Sequence, residues 1–574
     1  DTGKRTPPDD ASFPNTTIFD EKAKPIRYTV TVNNTEYAPD ETTPDRRENT
    51  KWYQADGYMN SPVSEWDAGD TGIAVKIQHV VNEVTFKRNN ADTKGSVTFS
   101  QVTLRNTTAS AQTAVLNVSA LSDLEVPLNA VPAKESRDTS QYFYPQSDGD
   151  YALYLAEIPA GQEVTFDFAA TVWNNPSPSA MKTMGSFDEQ YAAVKAHYDN
   201  ILGDMALPVS LPDQEMTNSY INSMIVMWET MVKATWNKDD GMKGQADYQI
   251  RGSAATQAKA LNGNGYMHGY DVYFPHDVPN MVEQFIRDGR LELAMNIMNS
   301  PNYQTLYLPE NHGGNLDAIP KFIIPYATLW QVMDDKQRAG YFTDAVKDKI
   351  KTVAKEITTY MTEDGIIQKS ESLDNMPYDY LVVDNFTALH GFAAYRYLCE
   401  AWGWTDEATW TTGQMTTLND GLNTSLDDFM ERNSTEWYMC AMNDDSGFWT
   451  RHKNGSVIYD GNWISSTLMM STFPWDAVLR GYDLGGTWAD YMDATMDNAV
   501  KLKNQRGDIP EGSWGAWWGH EYGSVYNVGQ SVPLLYSDKY RTAVVESYEW
   551  LLDNQTAPFQ WAESFDRGQN ADDW

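Results

Sequence analysis

The sequence predicts a multidomain β + α chain: an N-terminal antiparallel β-sandwich, then an α/α toroid of about six helical hairpins. Three observations predict it. Through about residue 175, short β-rich runs alternate with turn residues. A Pro/Ser-rich break follows at Asn174-Asn175-Pro176-Ser177-Pro178-Ser179. From about residue 214 onward, helical patterns succeed one another, with long Gly- and Trp-rich loops between alternate members. At 574 residues the chain exceeds one ordinary core, and its 41% hydrophobic content is enough to fill a large domain and an accessory one.

The strand signals are runs such as Tyr28-Thr29-Val30-Thr31-Val32, residues 72–77, 82–87 and 95–104, Ala114-Val115-Leu116-Asn117-Val118 and Val164-Thr165-Phe166-Asp167-Phe168. Period-two alternation broken by Asn, Thr and Gly describes strands with one face on a core. These bound a β-sandwich domain at 1–175. Residues 176–213 read as a linker containing one helix, about Phe187 to Leu202, and 214–574 as the toroid. Within it the helical stretches include 215–234, 277–289, 320–334, 343–361, 385–403, 460–480, 487–503, 523–536 and 539–552. Long loops at 236–276, 301–318, 363–384, 441–459 and 504–522 would gather on one face. No fixed-period repeat argues for a solenoid instead.

Composition narrows the partners. With 43 Lys and Arg against 80 Asp and Glu, the net charge of −37 repels nucleic acid, anionic lipid and polyanionic sugars, and fits a neutral substrate. No run of about 18 apolar residues is present, so no membrane-inserted helix is expected. The start, Asp1-Thr2-Gly3-Lys4, reads as the end of a processed or trimmed chain. The 20 Trp and 33 Tyr supply flat apolar faces with polar tips, the chemistry that stacks on sugar rings, although core packing accounts for many of them. Two cysteines, Cys399 and Cys440, could form one bridge or remain two buried thiols. The histidines lack metal-ligand spacing, and Asp444-Asp445-Ser446-Gly447 is too short for a calcium loop, so no metal and no cofactor is assigned. His390, inside an apolar helix, reads as a packing residue. Asn385, a glycosylation sequon, would begin a buried helix.

Three acidic segments lie in aromatic loops at helix edges, where paired carboxyls could serve as proton donor and base at a glycosidic bond. The first is Tyr270-Asp271-Val272-Tyr273-Phe274-Pro275-His276-Asp277, in which Asp277 either caps the following helix or binds sugar hydroxyls. The second, 371–385, holds Glu371, Asp379 and Asp384. Asp384 reads as the helix cap, leaving Asp379 and Glu371 as loop carboxylates. The third holds Glu563 between Trp561 and Phe565, an apolar setting able to tune a carboxyl, with Arg567 as an alternative partner. A fourth loop, with Glu511, Trp514 and Trp517, reads as a sugar-stacking surface and competes with the third.

The order of sandwich, linker helix and helical domain resembles the glucoamylase-like, six-hairpin glycosidases. Tyr273-Phe274-Pro275-His276-Asp277 is similar to that group's aromatic–Arg–Asp substrate-binding motif, with His276 in place of Arg. Ala562-Glu563-Ser564-Phe565-Asp566 is similar to the segment that carries its catalytic base. Tyr378-Asp379 followed by Asn385 resembles the segment around its general acid, with Val382 and Val383 where a Glu-Glu pair is usual. The resemblance implies an inverting hydrolase of neutral oligo- or polysaccharides, secreted, periplasmic or at the cell surface. Glu563 would be its base, Asp379 its acid and Glu371 the second choice for acid. Asp277, His276, Tyr273, Asp271, Glu511, Trp514, Trp517 and Trp561 would line the substrate. Inversion requires the two carboxyls roughly 6.5–9.5 Å apart. The alternatives are a phosphorylase or polysaccharide lyase on the same toroid, or a non-catalytic glycan-binding protein.

Overall fold

The computed structural model describes residues 26–39, 50–119, 125–136, 150–173, 176–203, 205–207, 211, 213–229, 231–235, 246–250, 257–259, 266–268, 278–309, 314–370, 378–443, 472–486, 488–505, 516–517, 521–523, 532–536, 538–555, 558–559 and 564–566. The chain divides into two compact units. One is Asp1–Thr230 with Arg251–Asp271 and Ala557–Gln560; the other is Met231–Ile250 with Val272–Thr556 and Trp561–Trp574.

In the first unit, β1 (Arg27–Val32), β2 (Thr35–Tyr37), β3 (Thr50–Gln54), β4 (Pro62–Asp67), β5 (Ile73–Arg88), β6 (Ala91–Asn106), β7 (Gln112–Ser119), β8 (Glu125–Pro127), β9 (Lys134–Ser136), β10 (Tyr151–Ile158) and β11 (Glu163–Trp173) form two antiparallel sheets. Their orders are β2-β1-β7-β10-β9 and β3-β4-β5-β6-β11-β8. The runs at 72–77 and 82–87 belong to a single 16-residue strand, β5, paired along its length with β6. Its length follows from burial on both faces. Ile73, Val75 and Ile77 face the other sheet, with Val30, Leu116 and Tyr154. Val80 and Val84 face the opposite way, onto helices α2 and α3 described next. The β1–β2 and β5–β6 hairpins turn on Asn33-Asn34 and Asn89-Asn90, whose φ values of 52°, 63°, 50° and 63° are those of a two-residue turn that matches strand twist.

After the short helix α1 (Pro178–Met181), α2 (Phe187–Gly203) and α3 (Gln214–Glu229) cover the second face of the six-stranded sheet. They bury Phe187, Val194, Ile201, Met224 and Ile225 there. The segment read as a linker is therefore the third layer of this unit. The expected helix 215–234 ends at Glu229, and its last residues become β12 (Met231–Thr235), paired with β13 (Ala246–Ile250). A second hairpin, β14 (Gln257–Lys259) with β15 (Tyr266–His268), interrupts what read as a long loop.

The second unit is helical. Its helices are α4 (Val278–Arg287), α5 (Leu291–Met298), α6 (Pro301–Gln304), α7 (Ala318–Lys321), α8 (Ile324–Val332), α9 (Asp335–Tyr341), α10 (Asp344–Thr359), α11 (Val382–Trp402), α12 (Thr405–Asn433), α13 (Thr472–Leu479), α14 (Trp488–Gln505) and α15 (Arg541–Asp553). The β12–β13 hairpin, a 3₁₀ turn at Val532–Tyr536 and β16 (Ala516–Trp517), β17 (Glu521–Gly523) and β18 (Ser564–Asp566) also belong to it. The turn and β17 occupy part of the expected helix 523–536.

These helices form the double layer of an α/α toroid, and sequence shows which layer each joins. Residues 324–329 of α8 and the first half of α11 are buried on all sides, the mark of a helix enclosed by others. α10 buries only Ile350, Val353, Ala354 and Ile357, one stripe at i, i+3, i+4 and i+7. α12 likewise buries Met415, Leu418, Leu422, Leu426 and Phe429. The enclosed elements touch in succession, α4 to α8 to α11 to α13 to the 3₁₀ turn. α5 backs α4, α10 and α12 back α11, and α15 backs the turn. The 29-residue α12 is not among the helical stretches named from the sequence, because its Thr, Asp and Asn residues mute the apolar period.

Two glycines permit this packing. A Cβ on Gly391 of α11 would lie 2.5 Å from Pro320 Cβ of α7. One on Gly421 of α12 would lie 2.3 Å from the Asp364 carbonyl oxygen. Gly391→Ala is expected to destabilise the protein by about 1–3 kcal/mol in urea denaturation. Gly413→Ala, on the same α12 but with nothing within 4 Å of its Cβ, should stabilise it by roughly 0.5–1 kcal/mol. Equal effects from the two changes would contradict the packing.

Candidate active site

In an array of hairpins, helix direction alternates. Every segment running from an outer helix to the next inner one therefore reaches the same end of the layer. Segment 360–381 runs from the outer α10 to the inner α11. Asp277 immediately precedes α4, and Glu563 follows α15 in the chain.

Asp379 is the predicted site residue whose side chain lies among the described residues. It is wholly buried. Its backbone pairs with Ser370, and Leu381 pairs with Ala441, so three segments meet as a small sheet at the start of α11. Asp379 Oδ1 accepts the amide N–H of Tyr380 at 2.6 Å and that of Asn443 at 3.2 Å, tying the 378–381 segment to 440–443. Val382 N–H donates to Cys440 O, and Met442 N–H to Tyr380 O. Asp384 is not the helix cap. It lies in the first turn, where its carboxylate accepts the Ser370 hydroxyl, and the capping position is Leu381. Asn385 is wholly buried, accepts Ile367 N–H at 2.9 Å and donates to Leu381 O at 2.8 Å, so it cannot carry a glycan in the folded chain.

A second convergence involves the backbone alone. β16, β17 and β18 pair antiparallel, matching Trp517 with Glu521, and Glu521 with Asp566. The aromatic loop containing Trp517 and the strand that begins directly after Glu563 are therefore one sheet. These two segments were competitors in the sequence; the fold makes them neighbours. The side chains of Glu563, Glu371, Asp277, His276, Tyr273, Asp271, Glu511, Trp514, Trp517 and Trp561 lie outside the described residues.

Sequence reasoning missed a polar cluster that joins three helices of the inner layer. Arg480, just past α13, pairs with Glu283 of α4 and, at 2.8 Å, with Asp476 of α13. It also donates to the Thr328 hydroxyl of α8, which in turn donates to Glu283 at 2.6 Å. Arg287 reaches Asp476 at 3.0 Å. Burial raises the Asp476 carboxyl, but Arg480, His390 and Arg287 together outweigh it and hold the group below its usual value. The clue was available: Glu283/Arg287 and Asp476/Arg480 are opposite charges at i, i+4 inside apolar helices. Cys399 and Cys440 form no disulfide. Cys399 lies 17 residues along α11 from Val382, whose N–H is bonded to Cys440 O, so roughly 25 Å of helix intervenes.

Arg480→Met strands Glu283 and Asp476 in a largely buried setting, and should lower stability by about 3–5 kcal/mol in a denaturant titration. Adding Glu283→Leu should recover a substantial part, because it removes one of the stranded charges. Strict additivity of the two losses would contradict the coupling.

No family model matches this sequence, and no curated protein matches it. The solved structures to which the chain is similar include carbohydrate-active hydrolases and a phosphorylase. A bacterial glucoamylase complexed with acarbose is 9% identical with a TM-score of 0.39, over 71% of this chain and 62% of that one. A putative kojibiose phosphorylase from human microbiome is 9% identical with a TM-score of 0.37, over 92% and 78%. A GH78 family rhamnosidase of Bacillus sp. GL1 is 9% identical with a TM-score of 0.39, over 86% and 45%. This chain thus spans less than two thirds of the glucoamylase's length.

Proposed function

We propose that the protein is a glycoside hydrolase acting outside the cytoplasm on a neutral oligo- or polysaccharide, by inversion. The observation that carries the proposal is the β16–β17–β18 sheet. It joins the Trp-rich loop, suited to stacking on a sugar ring, to the strand that starts one residue after Glu563. Glu563 is assigned the base that deprotonates the attacking water. Asp379, in the connection from α10 to α11, is assigned the acid that protonates the leaving oxygen, with Glu371 as the alternative. Asp277, Asp271, Tyr273 and His276 would hold the sugar hydroxyls.

A screen of neutral saccharides with product chromatography tests this. Glu563→Gln should lower turnover by at least 10³-fold while leaving the fold intact, since it removes the group assigned to take the water's proton; wild-type rates would sink the assignment. The acid has its own test. Asp379→Asn should lose cleavage of natural saccharides yet keep much of its rate on aryl glycosides whose phenol leaves without protonation. Equal loss on both substrates would transfer the role to Glu371 or leave Asp379 a purely structural residue.

One observation favours a second reading, a non-catalytic glycan-binding protein. Val382 and Val383, where carboxylates are usual in the resembling family, are buried in α11, and Asp379 itself is wholly buried. Saccharide binding by calorimetry without product, in wild type and Glu563→Gln alike, would decide for it.

A further inference from the structure

His390, on α11, is set into the Arg480 cluster and is not used by the proposed chemistry. Its side chain is only 1% exposed, and among the described residues neither ring nitrogen has a hydrogen-bond partner. Its Nε2 lies 3.9 Å from Asp476 Oδ2, and its ring lies 6.0 Å from that of Tyr482, whose buried hydroxyl is likewise without a partner. The groups around it come from every helix that meets there. α4 supplies Glu283 and Arg287, α8 supplies only the Thr328 hydroxyl, and α13 with the residues after it supplies Asp476, Arg480 and Tyr482. The phenol of Tyr536, on the 3₁₀ turn, is also within electrostatic reach of Asp476. Two carboxylates thus balance two guanidiniums, and a neutral imidazole leaves the cluster at zero net charge.

We propose that His390 makes this cluster an acid-operated latch, in which protonating the imidazole unbalances the charges and releases α13 from α11. A protonated ring would bring a third positive charge against two negative ones, at a point water cannot reach. The closed state therefore refuses the proton. Burial, reinforced by Arg480 and Arg287 and opposed by Asp476, pushes the imidazole down to about 3. Once α13 lifts away, the ring meets water and regains its ordinary affinity for the proton. The sign follows directly. A His depressed in the closed state costs nothing well above its ordinary value of about 6.5, and favours the open state increasingly as pH falls below it. Between pH 7 and pH 5 the opening constant should rise about 25-fold from this group alone. Most carboxylates titrate below that window.

Hydrogen exchange of the full-length protein, corrected for intrinsic exchange rates, reads the latch in a peptide spanning 476–484. There the Arg480 and Tyr482 amides donate to Asp476 O and Ala477 O. The expected result is a rise in opening near 25-fold from pH 7 to pH 5 in wild type, retained in Tyr482→Phe and reduced to within about twofold in His390→Gln. An equal rise in His390→Gln, no rise in wild type, or loss of the rise in Tyr482→Phe would overturn the proposal. Should His390→Gln fail to fold, imidazole NMR of the wild type decides. The His390 ring must stay neutral to pH 5 in the closed protein, and a titration midpoint near 6.5 would overturn it.

Discussion

A buried guanidinium cannot be left without counter-charge, and Arg480 finds its partners on separate helices. Its side chain meets Glu283 of α4, Thr328 of α8 and Asp476 of α13, next to His390 of α11. Apolar packing alone would let enclosed helices slide or rotate against each other, because methyl groups accept many registers. Directional, charge-assisted bonds accept few. The cluster therefore sets how the inner layer is stacked, and through that stacking where each helix begins. The segments just ahead of those starts contain Asp277 and Asp379.

The same logic separates the two layers. An inner helix is covered on most sides and buries even its polar residues, such as Thr328 of α8 and Asn385, Thr387 and His390 of α11. An outer helix needs one apolar stripe and a polar back. α10 fits this with Lys347 and Lys351 laid over the rings of Trp402 and Trp404, at 5.5 Å and 5.9 Å. Where helices come closest, side chains vanish: Gly391 against Pro320, and Gly421 against the Asp364 carbonyl.

Much of this fold could be read from residue patterns. Period-two alternation located the sandwich, and apolar helical spacing located α10, α11 and α14 to within a few residues. The failures have physical causes. β5 read as two strands because it is buried on alternate faces along its length. α12 went unread because its polar residues dilute the period, and Glu229 ended a helix early because the following residues pair as a hairpin. The site was less legible. Spacing marked carboxylates in aromatic loops, but it could not show that Asp379 is knotted into a buried sheet by two amide donors. Nor could it show that the Trp517 and Glu563 segments, about 45 residues apart, join through one three-stranded sheet. The Arg480 cluster depends on contacts over 152 residues, from Thr328, and 189 residues, from Arg287 to Asp476, where no local pattern reaches.

The proposed chemistry requires two carboxylates, those of Asp379 and Glu563, to face each other across a sugar. A crystal structure of the Glu563→Gln variant with a bound neutral oligosaccharide measures it. The account predicts Asp379 and the residue at 563 on opposite sides of one glycosidic bond, their carboxyl-derived carbons roughly 6.5–9.5 Å apart with a water beside residue 563. A saccharide bound away from both, or a separation well beyond that range with the sugar in place, would contradict it.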